Sequence, residues 1–181
     1  MTTLITLAVI LVALGGAVAY SYNRTVLWRN RVQNGAAQID VQLKRRSDLI
    51  GNLVEVVKGY ASHERETLEA VALARFNGGS VREASEANTA GARAAQGLFA
   101  IAERYPDLKA NENFLQLQQE LVHTEDRVAY ARQFYNDAAQ RYNTRLESFP
   151  SGVVAKIGTF ERADLFDAPE GAEVAPQIRL S

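Results

Sequence analysis

The chain has 181 residues, of which 47% are hydrophobic, enough for one membrane anchor and one compact domain with its own core. Its 20 Lys and Arg nearly balance its 21 Asp and Glu. The net charge of -1 argues against a nucleic-acid partner, because proteins that bind nucleic acids concentrate positive charge. The absence of cysteine excludes disulfides, thiolate metal sites and cysteine nucleophiles.

The first 23 residues carry no charged side chain, and Leu4–Tyr20 is an almost unbroken apolar run. This run has about the length needed to cross a hydrocarbon layer of ~30 Å. Tyr20, Tyr22 and Trp28 follow at the depth where aromatic rings prefer to lie, at the membrane–water interface. The sequence therefore predicts a transmembrane anchor over residues 1–23.

A cleaved signal peptide is the alternative, because the small residues Ala17–Ala19 resemble a cleavage site. However, the segment before the apolar run lacks Lys and Arg, and the run is longer than a usual signal core. The helical pattern also continues past the run without a linker. These features favour a retained anchor.

Three arginines follow the apolar run and none precedes it, namely Arg24, Arg29 and Arg31. By the positive-inside rule, the short N-terminus lies outside and the rest of the chain lies in the cytoplasm. These arginines can also contact anionic lipid headgroups. Lys44, Arg45 and Arg46 are instead interpreted as a solvated helix face.

Apolar residues beyond the anchor recur at steps of three and four, which predicts one face of a helix. They are Val32, Ala36, Ile39, Leu43, Ile50, Leu53, Val57, Tyr60, Leu68 and Val71. This first helix is predicted to end near Asn77–Gly79, because glycine readily takes the left-handed conformation that ends helices. Ser80 and Glu83 then form the capping box of the next helix.

The alanine-rich segment 81–104 predicts a second helix that ends at Tyr105–Pro106. Asn111 is the expected N-cap of a third helix, which Pro150 closes. Its apolar stripe consists of Phe114, Leu117, Leu121, Val128, Ala131, Tyr135, Ala138, Tyr142 and Phe149. The predicted fold is all-α: residues 24–150 form an antiparallel, up-and-down bundle of three long helices, with four as the alternative. Residues 151–181 are expected to form a short docked segment and a mobile tail.

The lengths of the predicted helices suggest self-association. At ~1.5 Å per residue, the first helix would reach ~75 Å from the membrane, whereas the second would return only ~36 Å. The face formed by Val32, Ala36, Ile39 and Leu43 would then need cover, either from a fold-back near Gly51 or from neighbouring protomers. A homo-oligomer, or an unknown membrane-protein partner, is the resulting hypothesis.

No catalytic, cofactor-binding or metal-ligating residue is assigned, and the chain is predicted not to be an enzyme. Glu120 and His123 have the Glu-x-x-His spacing of di-iron carboxylate sites, which need a second such pair. The only other histidine, His63, has a tyrosine, Tyr60, instead of a glutamate three residues before it. His123 is expected to lie off the packed face, and His63 on an exposed polar turn. Phosphate-binding loops are absent from the sequence, and no small-molecule substrate is evident.

Three long segments closely resemble the LemA family. They are Tyr22–Val71, Tyr105–Leu121 (YPDLKANENFLQLQQEL) and Arg132–Ser151 (RQFYNDAAQRYNTRLESFPS). The resemblance implies a single-pass protein of the bacterial inner membrane, with an external N-terminus and a cytoplasmic, up-and-down bundle that is usually four-helical. The chain departs from the family pattern at Gly35–Ala37, where a tryptophan is common, and at Gly51, which replaces a usual proline.

The leading functional hypothesis is a membrane-anchored scaffold or interaction protein without catalytic activity. The alternative is an accessory or regulatory subunit of a membrane enzyme or transporter. The loop Tyr105–Asn111 and the apolar cluster after Pro150 are candidate recognition segments, because loops and chain ends often carry recognition.

Overall fold

The computed structural model describes residues 1–73, 76 and 78–166, and it confirms the prediction of an all-α fold. Within these residues, six helices follow one another: α1 (Thr2–Lys58), α2 (Arg65–Leu73), α3 (Val81–Arg104), α4 (Pro106–Lys109), α5 (Glu112–Glu147) and α6 (Ser151–Ile157). The predicted ends of the second helix at Tyr105 and of the third helix before Pro150 are confirmed. Residues 151–181 were predicted to form a docked segment and a mobile tail, and the part from residue 167 onward lies outside the described part of the chain. Asn77, at the predicted end of the first helix, lies outside it as well.

The N-terminal part of α1 is uncovered. Every residue from Met1 to Tyr20 is exposed, and the first buried side chain is that of Ser21. This segment is long and apolar enough to cross a membrane. Beyond it α1 continues without interruption, also through Gly51, so that the 57-residue helix measures ~86 Å.

The first helix ends earlier than the sequence predicts. It stops at Lys58, a turn follows, and α2 begins at Arg65. Residues of both helices, including Val57 and Leu68, face the same core, so the apolar periodicity continues across the turn and does not reveal it. Tyr60 belongs to this turn and is exposed rather than packed.

The helices α1, α2, α3 and α5 run alternately up and down, which confirms the four-helix alternative. Tyr60 meets Asn111 at one end of the α1–α5 pair, and Arg46 meets Glu125 near its middle, so the two helices are antiparallel. Glu64 just before α2 pairs with Arg104 at the end of α3, and Thr67 lies against Gly97, so these two helices are antiparallel as well.

Two apolar clusters form the core. The cluster far from the N-terminal segment includes Leu49, Ile50, Leu53, Val57, Leu68, Ala95, Leu98, Ile101, Leu108, Phe114 and Leu121. The cluster nearer to that segment includes Val32, Ile39, Leu43, Ala84, Val128, Ala131, Tyr135, Ala138, Tyr142 and Phe166. The second cluster lies mainly between α1 and α5.

The stripe at Val32, Ala36, Ile39 and Leu43 is therefore covered by the chain itself. Its partner is α5, whose 36 residues extend ~54 Å along α1. The expected shortage of intramolecular cover was wrong, because it compared the first helix with the second and not with the third. No fold-back at Gly51 is needed, and this stripe no longer supports a homo-oligomer.

Both predicted N-caps are confirmed. Ser80 accepts a hydrogen bond from the Glu83 amide while the Glu83 carboxylate accepts one from the Ser80 amide, which completes the capping box. The bond from the Ser80 amide, and a second from the Ser80 hydroxyl to the same carboxylate, hold the pKa of Glu83 below its ordinary value. Asn111 caps α5 through the Phe114 amide. Phe149, which was predicted to lie on the packed stripe of this helix, is instead 87% exposed because α5 ends at Glu147.

Candidate functional site

Arg46 occupies the centre of the bundle and was wrongly interpreted as part of a solvated face. Only 2% of its side chain is exposed. Its Nη1 donates to both carboxylate oxygens of Glu125 at 2.9 and 2.8 Å, and its Nη2 donates to the backbone oxygen of Asn88 at 2.6 Å. One guanidinium therefore joins α1, α3 and α5.

The surroundings of Arg46 leave no room for a ligand. The cavity beside it, lined by Leu43, Ile50, Phe76 and Gly91 among others, measures about 10 Å³. A water molecule needs at least about that volume. Arg46 thus stabilises the junction of three helices, and its charge is compensated by Glu125, whose side chain is 40% exposed.

A second group of polar contacts lies at the end of the bundle that adjoins the N-terminal segment. After α6, the chain runs back along α1 and α5 as an extended segment, here called the C-terminal strap, residues 160–166. Asn143 donates to the Ala163 oxygen at 2.8 Å and accepts from the Ala163 amide at 2.9 Å. Asn136 forms the same pair of bonds with Phe166, at 3.3 and 2.8 Å.

The spacing of these two asparagines matches the strap. Asn136 and Asn143 are seven positions apart on α5, which is a rise of ~10.5 Å along the helix. Ala163 and Phe166 are three positions apart, which in extended chain is also ~10 Å. Each asparagine side chain bonds both the N–H and the C=O of one strap residue, as a neighbouring β-strand would. The side chains of α5 therefore hold the backbone of the strap, and the Phe166 ring is buried in the core.

Tyr135 adds a third contact between α5 and the strap. Its hydroxyl donates to the Asp164 backbone oxygen at 2.6 Å, and its ring is 2% exposed. Burial, and in second place the charge of the Asp164 carboxylate, raises the pKa of Tyr135 to about 12. The hydroxyl therefore remains a hydrogen-bond donor throughout the physiological pH range.

Aromatic and basic side chains gather at the same end. The Trp28 ring lies 4.5 Å from the Arg31 guanidinium carbon and 5.6 Å from that of Arg141, distances typical of cation–π contacts. The rings of Tyr22 and Phe160 meet edge to face at 5.6 Å. These contacts join the start of the bundle part of α1 to α5 and to the strap.

The histidines lie where the sequence predicts. His63 and His123 are both exposed, and Glu120 pairs with Arg45 at 3.5 Å on the surface. Within residues 1–73, 76 and 78–166, no three His, Asp or Glu side chains are grouped so that they could hold a metal ion. The predicted packing of Tyr135 and Tyr142 is confirmed.

The two candidate recognition segments differ in structure. The segment Tyr105–Asn111, predicted as a loop, contains the short helix α4. Leu108 is fully buried and Asn111 caps α5, so this segment mainly connects α3 to α5. The cluster after Pro150 is divided. Val154 packs inward, while Val153 and Ile157 are exposed. The C-terminal strap and its asparagine contacts were missed, because an extended segment that pairs with side chains has no periodic signal.

The outer face of α5 offers a further surface. Leu115, Val122 and Tyr130 are exposed along it, and Tyr130 borders a groove of about 360 Å³ that also contains Gln38 and Gln42.

Comparison with known proteins agrees with the resemblance in the sequence. The chain is 27% identical to Magnetosome protein MamQ 2 of Paramagnetospirillum magneticum over 189 residues, which covers 87% of this chain and 70% of that protein. It is 26% identical to Magnetosome protein MamQ of Magnetospirillum gryphiswaldense, with coverages of 93% and 74%. It is also 26% identical to Protein LemA of Metamycoplasma hominis, with coverages of 78% and 67%. The LemA family model matches residues 35–180, so the chain belongs to the LemA family.

Proposed function

We propose that this protein is a membrane-anchored scaffold, in which α1 crosses the bilayer and the bundle binds other proteins at the membrane surface without catalysing a reaction. The observation that carries this proposal is the continuity of α1. Burial begins at Ser21, directly after the apolar run that ends at Tyr20. A helix without a linker holds the bundle at a fixed height and angle to the membrane, as a scaffold requires.

The roles of the buried polar side chains support a structural rather than a catalytic function. Arg46, Thr25, Thr124, Asn143 and Ser151 are all buried, and each forms a hydrogen bond within the chain. Arg46 and Asn143 join separate segments, whereas Thr25 and Thr124 donate to the backbone oxygen four residues earlier in their own helices. An active site instead keeps polar groups free to meet a substrate.

The scaffold proposal is tested by purifying the tagged full-length protein from native membranes, followed by light scattering and mass spectrometry. We expect stable protein companions or a homo-oligomer. A monomer without companions would contradict the proposal. A Tyr130→Ala variant tests whether the outer face of α5 provides the contact, and Gln119→Ala, at an exposed position on the same helix, is the control.

The alternative proposal is an accessory subunit of a membrane enzyme or transporter. The exposed apolar side chains of Val122 and Tyr130 favour it, since they suit one specific client protein. The same purification separates the two proposals. One dominant companion in a fixed ratio supports the accessory subunit, whereas several companions or self-assembly support the scaffold.

The proposed topology places the N-terminus outside and the bundle in the cytoplasm of a bacterial inner membrane, on the basis of Arg24, Arg29 and Arg31. Because the chain lacks cysteine, single-cysteine variants test it directly. Thr3→Cys should react with a membrane-impermeant maleimide in intact cells, and Ser62→Cys only after permeabilisation. The reverse pattern would contradict this topology. Loss of the N-terminal residues from the mature protein would indicate a cleaved signal peptide.

A further inference from the structure

Three large apolar side chains project outward at α6 and at the turn that precedes it. Phe149, Val153 and Ile157 are 87%, 54% and 81% exposed. They follow one another at intervals of four residues. The opposite side of α6, with Val154 and Ala155, is buried against the bundle, and α6 contacts both α1 and α5. Phe149, Val153 and Ile157 are here called the α6 patch.

The α6 patch lies at the height where the apolar run of α1 ends. Gly35 lies against Tyr135, and Trp28 contacts Arg141. Because the helices are antiparallel, each residue back along α1 therefore corresponds to about one residue forward along α5. Continued to the end of α5 at Glu147, this pairing reaches about residue 22 of α1, at the same rise per residue in both helices. The contact between Tyr22 and Phe160 independently places the chain after α6 at that height.

The surroundings of the patch are basic, although the whole chain has a net charge of -1. Residues 21–31 and 141–162 contain seven basic side chains, namely Arg24, Arg29, Arg31, Arg141, Arg145, Lys156 and Arg162. The same ranges contain two acidic side chains, Glu147 and Glu161. This excess of positive charge suits anionic lipid headgroups.

We propose that the α6 patch is a second membrane contact: Phe149, Val153 and Ile157 enter the boundary between headgroups and acyl chains, and the surrounding basic side chains bind anionic headgroups. This inference rests on the proposed membrane anchoring by α1. The bilayer is the occupant that fits, because the patch lies at the height where the apolar segment of α1 ends and is surrounded by positive charge.

The absence of cysteine permits a direct test with the full-length chain. One fluorophore is attached at Val153→Cys, and the protein is placed in nanodiscs that contain anionic phospholipid, one chain per disc. Val122→Cys is the matched control, because Val122 is also a valine on a helix surface and is 53% exposed, but it lies far along α5 from the patch. Leu11→Cys in the apolar segment is the positive control for anchoring.

We expect a nitroxide on the phospholipid, near the headgroup, to remove most of the fluorescence at Val153 and little at Val122. Replacing anionic by zwitterionic phospholipid should reduce the loss at Val153. Equal fluorescence loss at Val153 and Val122, with strong quenching at Leu11 by a nitroxide deeper in the acyl chain, would overturn the inference and leave the anchor intact. An unquenched probe at Leu11 would instead contradict the anchoring itself. Quenching at Val153 that requires two chains per disc would assign the patch to a second copy and overturn the lipid contact.

Discussion

Gly91 on α3 lies directly against the guanidinium of Arg46 on α1. A Cβ atom at position 91 would stand 2.7 Å from Nη2 of Arg46 and 3.0 Å from its Cζ. The guanidinium cannot move aside easily, because Glu125 and the Asn88 oxygen hold it and the bundle surrounds it. Glycine at position 91 is thus what allows α3 to approach a buried arginine.

This contact reverses the usual effect of replacing glycine by alanine in a helix. We expect Gly91→Ala to lower the free energy of unfolding by about 1–3 kcal/mol, the usual cost of overpacking. Gly97→Ala on the same helix is the control, since its Cβ would meet only Thr67 Cγ2 at 3.6 Å, an ordinary contact. That variant should gain up to about 1 kcal/mol from helix propensity. Denaturant unfolding followed by circular dichroism compares them, and equal effects would contradict the described contact.

The ion pair of Arg46 and Glu125 should respond unequally to loss of either partner. Glu125→Ala leaves a guanidinium that is 2% exposed without its counter-charge, at a cost of about 3 kcal/mol. Arg46→Met leaves a carboxylate that is 40% exposed and can be hydrated, so the loss should be nearer to about 1–2 kcal/mol.

Two further variants make this test specific. Arg45→Met removes the neighbouring surface pair with Glu120, both partners being nearly half exposed, and should change stability by less than about 1 kcal/mol. The double variant Arg46→Met with Glu125→Ala should resemble Arg46→Met alone, because the unpaired charge is gone. Additive losses in the double variant would show that the pair is not coupled.

The position of Arg46 could have been found in the sequence. Buried residues of α1 occur at Ile39, Leu43, Ile50 and Leu53, and Arg46 fills the step between Leu43 and Ile50. The step of three or four residues therefore continues through the arginine. Its charge and its basic neighbours led to the opposite interpretation. A charged residue in phase with an apolar stripe is better taken as a buried ion-pair partner.

The long helices α3 and α5 were predictable because each buries one apolar stripe and has a recognisable start, as Ser80 and Asn111 show. The turn after Lys58 was not predictable, because α1 before it and α2 after it pack on the same core. The strap was not predictable either. Its position depends on Asn136 and Asn143, which are ordinary helix residues in the sequence and gain meaning only from the folded spacing.

Loss of one asparagine should release part of the C-terminal strap. Asn143→Ala removes two hydrogen bonds to Ala163, each contributing about 1 kcal/mol, so hydrogen exchange in the strap should accelerate about tenfold or more. Gln140→Ala, at an exposed position of α5 between the two asparagines, is the control. Mass spectrometry of the peptide covering residues 160–166 measures the rate. An unchanged rate would mean that the two bonds of Asn143 do not hold the strap and that its other contacts suffice.

Tyr135 should make the bundle sensitive to strongly alkaline pH. Its pKa is about 12 in the folded chain, against 10.0 for an ordinary tyrosine, so the folded state retains the hydroxyl proton longer than the unfolded state. The stabilising contribution is complete below pH 10 and is lost as the pH rises through 12, by up to about 3 kcal/mol. Burial also raises the pKa of Tyr142, but its contribution to the pH dependence of stability is the same in the unmodified chain and in variants at position 135.

The Tyr135→Phe variant separates the contribution of Tyr135 from general alkaline unfolding. Below pH 10 it should be less stable by about 1 kcal/mol, because the Asp164 oxygen loses its donor. Above pH 10 its stability should fall less steeply than that of the unmodified chain, so the two curves converge. Tyr130→Phe is the control, since Tyr130 is 70% exposed and should leave the slope unchanged. Parallel curves for Tyr135→Phe and the unmodified chain would show that the buried hydroxyl does not govern the alkaline transition.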